Sequence, residues 1–178
     1  MRRRILLTGP PGCGKTTIVR KVSGILGEMA SGFYTEEIRD AQKQRIGFRV
    51  VTLDGNGGEL AGKISGPGPR VGSYRVNVGS FERVALPSLE IVEGRILIID
   101  EIGKMECCSE EFVRSVGKAF EADIAILATV PLRGGGLFIE SVRRREHVET
   151  IFVTRENREG LPERLAAMLS SFQKGQDI

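Results

Sequence analysis

The sequence predicts a single α/β domain over residues 1–178: a mainly parallel sheet with helices on both faces, carrying a β-rich antiparallel insertion at about 32–79. Three observations predict it. The 178 residues suit one domain, which usually runs to about 100–200 residues. Short apolar runs of strand length alternate with segments of helical apolar spacing. Glycine is enriched, 23 residues against a usual ~7%, and eight of the 23 fall between Gly55 and Gly79, where turns and antiparallel pairs are expected.

The elements follow in order. Arg3–Thr8 is a short apolar run that ends in a glycine-rich turn, the pattern of a buried strand. Ile18, Val19, Val22, Ile25 and Leu26 give Lys15–Leu26 helical spacing, and Gly27 is a natural stop. Phe33-Tyr34-Thr35 and Ile46–Leu53 read as strands, with Asp54-Gly55-Asn56-Gly57-Gly58 as a hairpin turn; this part forms an insertion or flap on the main sheet. Phe81–Val92 is helical but contains Pro87, which predicts a kink. Arg95–Asp100 holds four consecutive apolar residues and reads as a strand buried on both faces. Ser109 is a suitable N-cap for a helix ending at Phe120. Ile124–Val130 is a strand, Leu137–Arg145 a helix, Val148–Thr154 a strand, and Pro162–Phe172 a closing helix with proline in its first turn.

Composition excludes several classes of function. No apolar stretch is long enough to cross a bilayer, and Ile5-Leu6-Leu7 is too short to serve as the core of a secretion signal. With 26 basic and 23 acidic residues the net charge is +3, too small an excess to argue for nucleic acid. Three cysteines, two of them adjacent, do not form a disulfide framework, so a reducing cytoplasm is expected. A single histidine, His147, provides neither a zinc ligand set nor a nucleophile–histidine arrangement.

The chemistry is concentrated at two places. Gly9-Pro10-Pro11-Gly12-Cys13-Gly14-Lys15-Thr16 matches G-x-x-x-x-G-K-[ST] at every fixed position, between a predicted strand and a predicted helix. Glycines let the backbone curl its N–H groups around phosphate oxygens, and the helix adds its positive end. Lys15 would reach the β- and γ-phosphates, Thr16 would offer a hydroxyl to Mg²⁺, and Thr17 could touch the α-phosphate. Cys13 occupies a variable position and reads as loop filler. The second place is Ile96-Leu97-Ile98-Ile99-Asp100-Glu101, taken as the end of a neighbouring strand. Asp100 would hold the Mg²⁺ shell. Glu101, one step beyond, could polarise water for in-line attack, or else cap the next segment or pair with Lys104.

Beyond these two runs, further matches recur in order: Gly32-Phe33-x-Thr35-x-Glu37-Ile38-Arg39, Gly47-Phe48-Arg49, Val71-Gly72-x-Tyr74-x-Val76-Asn77-Val78, Ile98-Ile99-Asp100-Glu101-Ile102-Gly103-Lys104-Met105-Glu106, Ala128-Thr129-Val130-Pro131 and Thr154-x-x-Asn157-Arg158. Over roughly residues 3–170 the chain resembles the small P-loop nucleoside-triphosphatase family of thermophilic prokaryotes, relatives of a human cancer-related nucleoside-triphosphatase. The resemblance implies a RecA-like fold and Mg²⁺-dependent hydrolysis of ATP, GTP and other nucleoside triphosphates, with broad base tolerance. It also implies two nucleotide-binding stretches: Gly9, Pro10, Pro11, Gly12, Cys13, Gly14, Lys15, Thr16 and Thr17, and Leu97, Ile98, Ile99, Asp100, Glu101, Ile102, Gly103 and Lys104. A monomer is expected.

Other residues remain two-sided. Thr129 could sense phosphate or simply end its strand. Arg133, Arg143, Arg144 or Arg145 could act as an arginine finger, although a basic run is also an ordinary helix end. Thr154, Asn157 and Arg158 could lie near the base or form a turn. Arg39 and Tyr74 could reach a ligand or be structural. Two rival functions share the scaffold: a nucleoside or nucleotide kinase with an acceptor pocket in the insertion, and a nucleotide-gated interaction module with slow hydrolysis.

Overall fold

The computed structural model describes residues 3–63 and 67–171. Arg2 of the basic start and Phe172 of the predicted closing helix lie outside them. Nine strands form one sheet among the described residues. In chain order they are β1 (Arg4–Thr8), β2 (Ala30–Arg39), β3 (Arg45–Thr52), β4 (Gly57–Gly62), β5 (Arg70–Val71), β6 (Tyr74–Val76), β7 (Ile96–Ile99), β8 (Ala125–Thr129) and β9 (Val148–Phe152). The order across the sheet is β5-β6-β4-β3-β2-β7-β8-β1-β9. The pairs β2–β7, β7–β8, β8–β1 and β1–β9 are parallel, and every pair from β2 outward to β5 is antiparallel.

Helices cover both faces. On one face α1 (Lys15–Leu26) packs against α5 (Leu161–Ser170), and Val19, Val22 and Leu165 meet Ile5, Leu7, Ile98 and Leu127. On the other, α2 (Val78–Ser88) and α3 (Glu110–Ala119) bring Phe81, Phe112 and Val116 onto Leu6, Phe33, Leu97 and Ile126; α4 (Leu137–Arg143) adds Ile139 and Val142. Every residue of β1, β7 and β8 is buried, as a strand needs to be when both its faces are covered. Phe33, Phe81 and Phe112 form an aromatic group with ring centroids 5.3–6.1 Å apart. Ser109 is the cap expected for α3: its hydroxyl accepts from the Phe112 amide at 3.0 Å and donates to Glu82 at 2.6 Å.

Three features sharpen or change the expectation. The glycine-rich part is the antiparallel insertion expected, and of the two forms named it is an extension of the main sheet and not a flap. Its first strand, β2, pairs in parallel with β7 over Ala30–Phe33, then runs on to pair antiparallel with β3, so the extension grows out of the central sheet. Helix α2 starts at Val78, where the Asn77 side chain accepts from the Ser80 amide at 3.1 Å, and Pro87 lies in its final turn, so it ends the helix where a kink was expected. Finally, the acidic strand β7 is not the neighbour of β1. Strand β8 lies between them.

Candidate active site

The site lies at the C-terminal ends of β1, β8, β7 and β2. The loop after β1 curls tightly: the Cys13 amide donates to the Pro10 carbonyl at 3.2 Å, and Gly12 and Gly14 adopt φ of +74° and +109°. Those backbone angles suit glycine and strain other residues. Helix α1 then begins at Lys15 without a side-chain cap, which leaves its first amides open toward the cleft. Lys15 folds back over the loop, its Nζ donating to the carbonyls of Gly9 at 3.0 Å and Pro10 at 3.5 Å.

Strand β8 braces the acidic run. The Ile102 amide donates to the Thr129 carbonyl at 2.9 Å, and the Thr129 hydroxyl donates to Asp100 Oδ1 at 2.5 Å. Asp100 is buried, and its Oδ2 has no hydrogen-bond partner among the described residues. Burial pushes the Asp100 carboxyl up from its ordinary range, against the opposing pull of Thr129, Thr16 and the Lys15 charge. Glu101 is also pushed up, first by burial and then by Asp100, with Lys15 again opposing. The peptide between these two residues is cis.

A cleft of about 830 Å³ runs from the loop across these carboxylates to the antiparallel extension. Pro11, Gly12, Gly14, Lys15, Thr16 and Thr17 line one end, Asp100, Glu101 and Lys104 the middle, and Phe48, Leu60 and Val71 the far wall. The two stretches assigned from the sequence are thus brought together, although not every member faces the cleft. Gly9 is buried against the Val153 carbonyl, and Cys13 packs beside it. The side chains of Leu97, Ile98, Ile99 and Ile102 are in the core, where they carry the strand that presents Asp100 and Glu101.

A family model described as NTPase matches residues 4–166. The chain belongs to this NTPase family. Its relatives in the family include the nucleoside-triphosphatase THEP1 of Thermotoga petrophila, 41% identical over 98% of this chain and 96% of that one. The human cancer-related nucleoside-triphosphatase is 40% identical over 98% of this chain and 100% of its own length. The crystal structure of THEP1 from Aquifex aeolicus superposes with a TM-score of 0.86 at 37% identity, covering 93% of this chain and 98% of that one. The fold is that of a RecA-like P-loop NTPase.

Most of the two-sided residues of this family member, Arg133 and Arg144 excepted, now have definite surroundings. Thr129 is tied to Asp100, as above. Arg145 lies at the end of α3, where it donates to the Gly117 carbonyl at 3.5 Å and sits over the Phe120 ring, so its side chain serves α3. Arg143 donates to the carbonyl of Pro131, beside the cleft. Thr154 and Asn157 form a turn: the Thr154 amide donates to Asn157 Oδ1 at 2.9 Å, and Asn157 Nδ2 donates to the Phe152 carbonyl at 2.8 Å. Arg158 lies across the loop, its Cδ 3.6 Å from where a Gly14 side chain would start. Tyr74 accepts from Arg45 at 2.9 Å and is structural; Arg39 lines the cleft but is paired with Glu37. Sequence reasoning gave no role to Glu106, a buried carboxyl that also lines the cleft. Its signal was a third acidic residue closing the run from Asp100.

Proposed function

We propose that this chain is a Mg²⁺-dependent hydrolase that cleaves the β–γ phosphoanhydride of ATP, GTP and other nucleoside triphosphates. The observation that carries the proposal is the convergence of Lys15, Thr16, Asp100 and Glu101 on one cleft from the segments that follow two separate strands, β1 and β7. Magnesium fits the donors present. Asp100 Oδ2 is a buried, unpartnered oxygen, and Thr16 adds a hydroxyl, both hard ligands of the kind this cation takes. When bound, the ion would neutralise charge on the β- and γ-phosphate oxygens.

The chain's own residues supply the rest. Open amides and Lys15 bind the phosphate tail. Glu101 takes a proton from water as the water oxygen bonds to the γ-phosphorus; the bridging P–O bond breaks and its electron pair leaves with the diphosphate. Its upward-shifted carboxyl makes a better-matched base near neutral pH than a free glutamate. The free thiols of Cys13, Cys107 and Cys108 suit a reducing cytoplasm, where we expect a monomer acting without nucleic acid.

The test is phosphate release from ATP, GTP, CTP and UTP, with and without Mg²⁺ and with no acceptor. Release from all four that requires Mg²⁺ is the expected result. A kinase reading has one observation in its favour: the cleft continues past Glu101 onto Phe48, Leu60 and Val71. Label transfer to an added acceptor, with negligible free phosphate, would select it.

A further inference from the structure

Glu106 opens the short turn Glu106–Cys108 that follows the acidic run, and it is only 4% exposed. Gly103 relates it to Glu101. A Cβ built on Gly103 would lie 2.6 Å from Glu106 Oε2 and 2.8 Å from Glu101 Oε1. The two carboxyl oxygens flank a single point and therefore lie within 5.4 Å of each other, the sum of those distances. A side chain at this position would push the two carboxyl ends aside. The turn that carries it is fixed by its own backbone: the Cys107 amide donates to the Gly103 carbonyl at 3.0 Å and the Ser109 amide to the Glu106 carbonyl at 3.0 Å.

We propose that Glu106 is a positioning residue for hydrolysis: its carboxyl group, packed across Gly103 from Glu101, holds that carboxylate toward the attacking water. The inference rests on the role proposed for Glu101. A buried carboxyl and a partly buried one this close do not both ionise at ordinary cost. Burial, together with the charges of Glu101 and Asp100, pushes Glu106 up from 4.5 to about 8. The groups that face it are Asp100 and Glu101 beyond β7, with Cys107 and Cys108 on its own turn; Lys15 of α1 acts on the two acids. Glu106 therefore stays neutral at pH 7. A neutral Glu106 adds no further charge beside Glu101 and the triphosphate.

The test measures kcat and KM from pH 6 to 9.5, with affinity for a non-hydrolysable triphosphate analogue, in wild type, Glu106→Gln and Glu106→Ala. Wild-type kcat should fall above about pH 8. Glu106→Gln, a neutral isostere, should keep kcat within about threefold at pH 7 and lose the alkaline fall, since it has no proton to give up. Glu106→Ala should lose about tenfold or more in kcat at unchanged analogue affinity, a fraction of the 10²–10⁴ typical of acid–base catalysis. An alkaline fall in Glu106→Gln like that of wild type, or a Glu106→Ala enzyme with wild-type kcat, overturns the proposal. If Glu106→Ala does not fold, the Glu106→Gln profile decides alone. Should Glu101→Gln lose turnover while both Glu106 variants behave as wild type, only the positioning role fails. Should Glu101→Gln turn over normally, the role of Glu101 fails first.

Discussion

The parallel half of the sheet and its antiparallel extension treat carboxylates in opposite ways. On the extension, Glu36 is held by Arg20 and Arg49, and Glu37 by Arg39 and Arg45. The Arg45 hydrogen bond, with help from Arg39, lowers the Glu37 carboxyl below its ordinary range. At the end of β7, Asp100 and Glu106 are buried and Glu101 is partly buried, none has an arginine partner among the described residues, and all three are pushed up. Charges on the extension have been neutralised in place by their neighbours. Those at the end of β7 have no such neighbour among the described residues, and under the proposed function a hydrated cation with a triphosphate would supply the missing charge and ligands.

The contrast is breakable, and the largest expected effect is on turnover. Glu101→Gln should retain affinity for a triphosphate analogue and lose about 10²–10⁴ in kcat, the range typical of acid–base catalysis; steady-state phosphate release beside a binding titration checks both. Next is the seam between the two halves. Phe112 packs against Phe33, which belongs to both, and against Phe81 of α2. Phe112→Ala should cost about 3–5 kcal/mol in denaturant unfolding through the cavity it leaves.

A smaller effect sharpens the contrast through pH. The folded chain holds a proton on Glu106 up to about 8, whereas the unfolded chain releases it near 4.5. The unfolded state thus binds fewer protons between those values, and stability from this group falls as pH rises across that window. Glu106→Gln should flatten the fall, read as unfolding midpoints at a series of pH values. The smallest effect belongs to the extension. Arg49→Ala removes an exposed pairing with Glu36 and should change stability by under about 1 kcal/mol, with turnover unchanged.

Much of this was legible in the sequence because the signals are local. The phosphate loop is a fixed spacing, β7 is an apolar run ending in acid, and Ser109 is a cap three residues before the amide it bonds. What was not legible depends on how distant segments meet. Nothing in the pattern of Ile124–Val130 says that β8 inserts between β1 and β7, since strand order is set by helical crossovers packing over the sheet. The basic run after the glycines reads as one cluster, yet Arg143 turns to the Pro131 carbonyl and Arg145 to the end of α3, because α4 ends at Arg143 and Arg145 already lies in the turn beyond it. Glu106 gave no periodic signal, because a three-residue turn has no face to repeat.

The account stands most directly on where a triphosphate sits. A crystal structure with a non-hydrolysable nucleoside triphosphate and Mg²⁺ should put the terminal phosphoryl group between Lys15 and Glu101, with the ion bridging Thr16 and Asp100. A triphosphate bound elsewhere, or a terminal phosphoryl group turned away from Glu101, would contradict it.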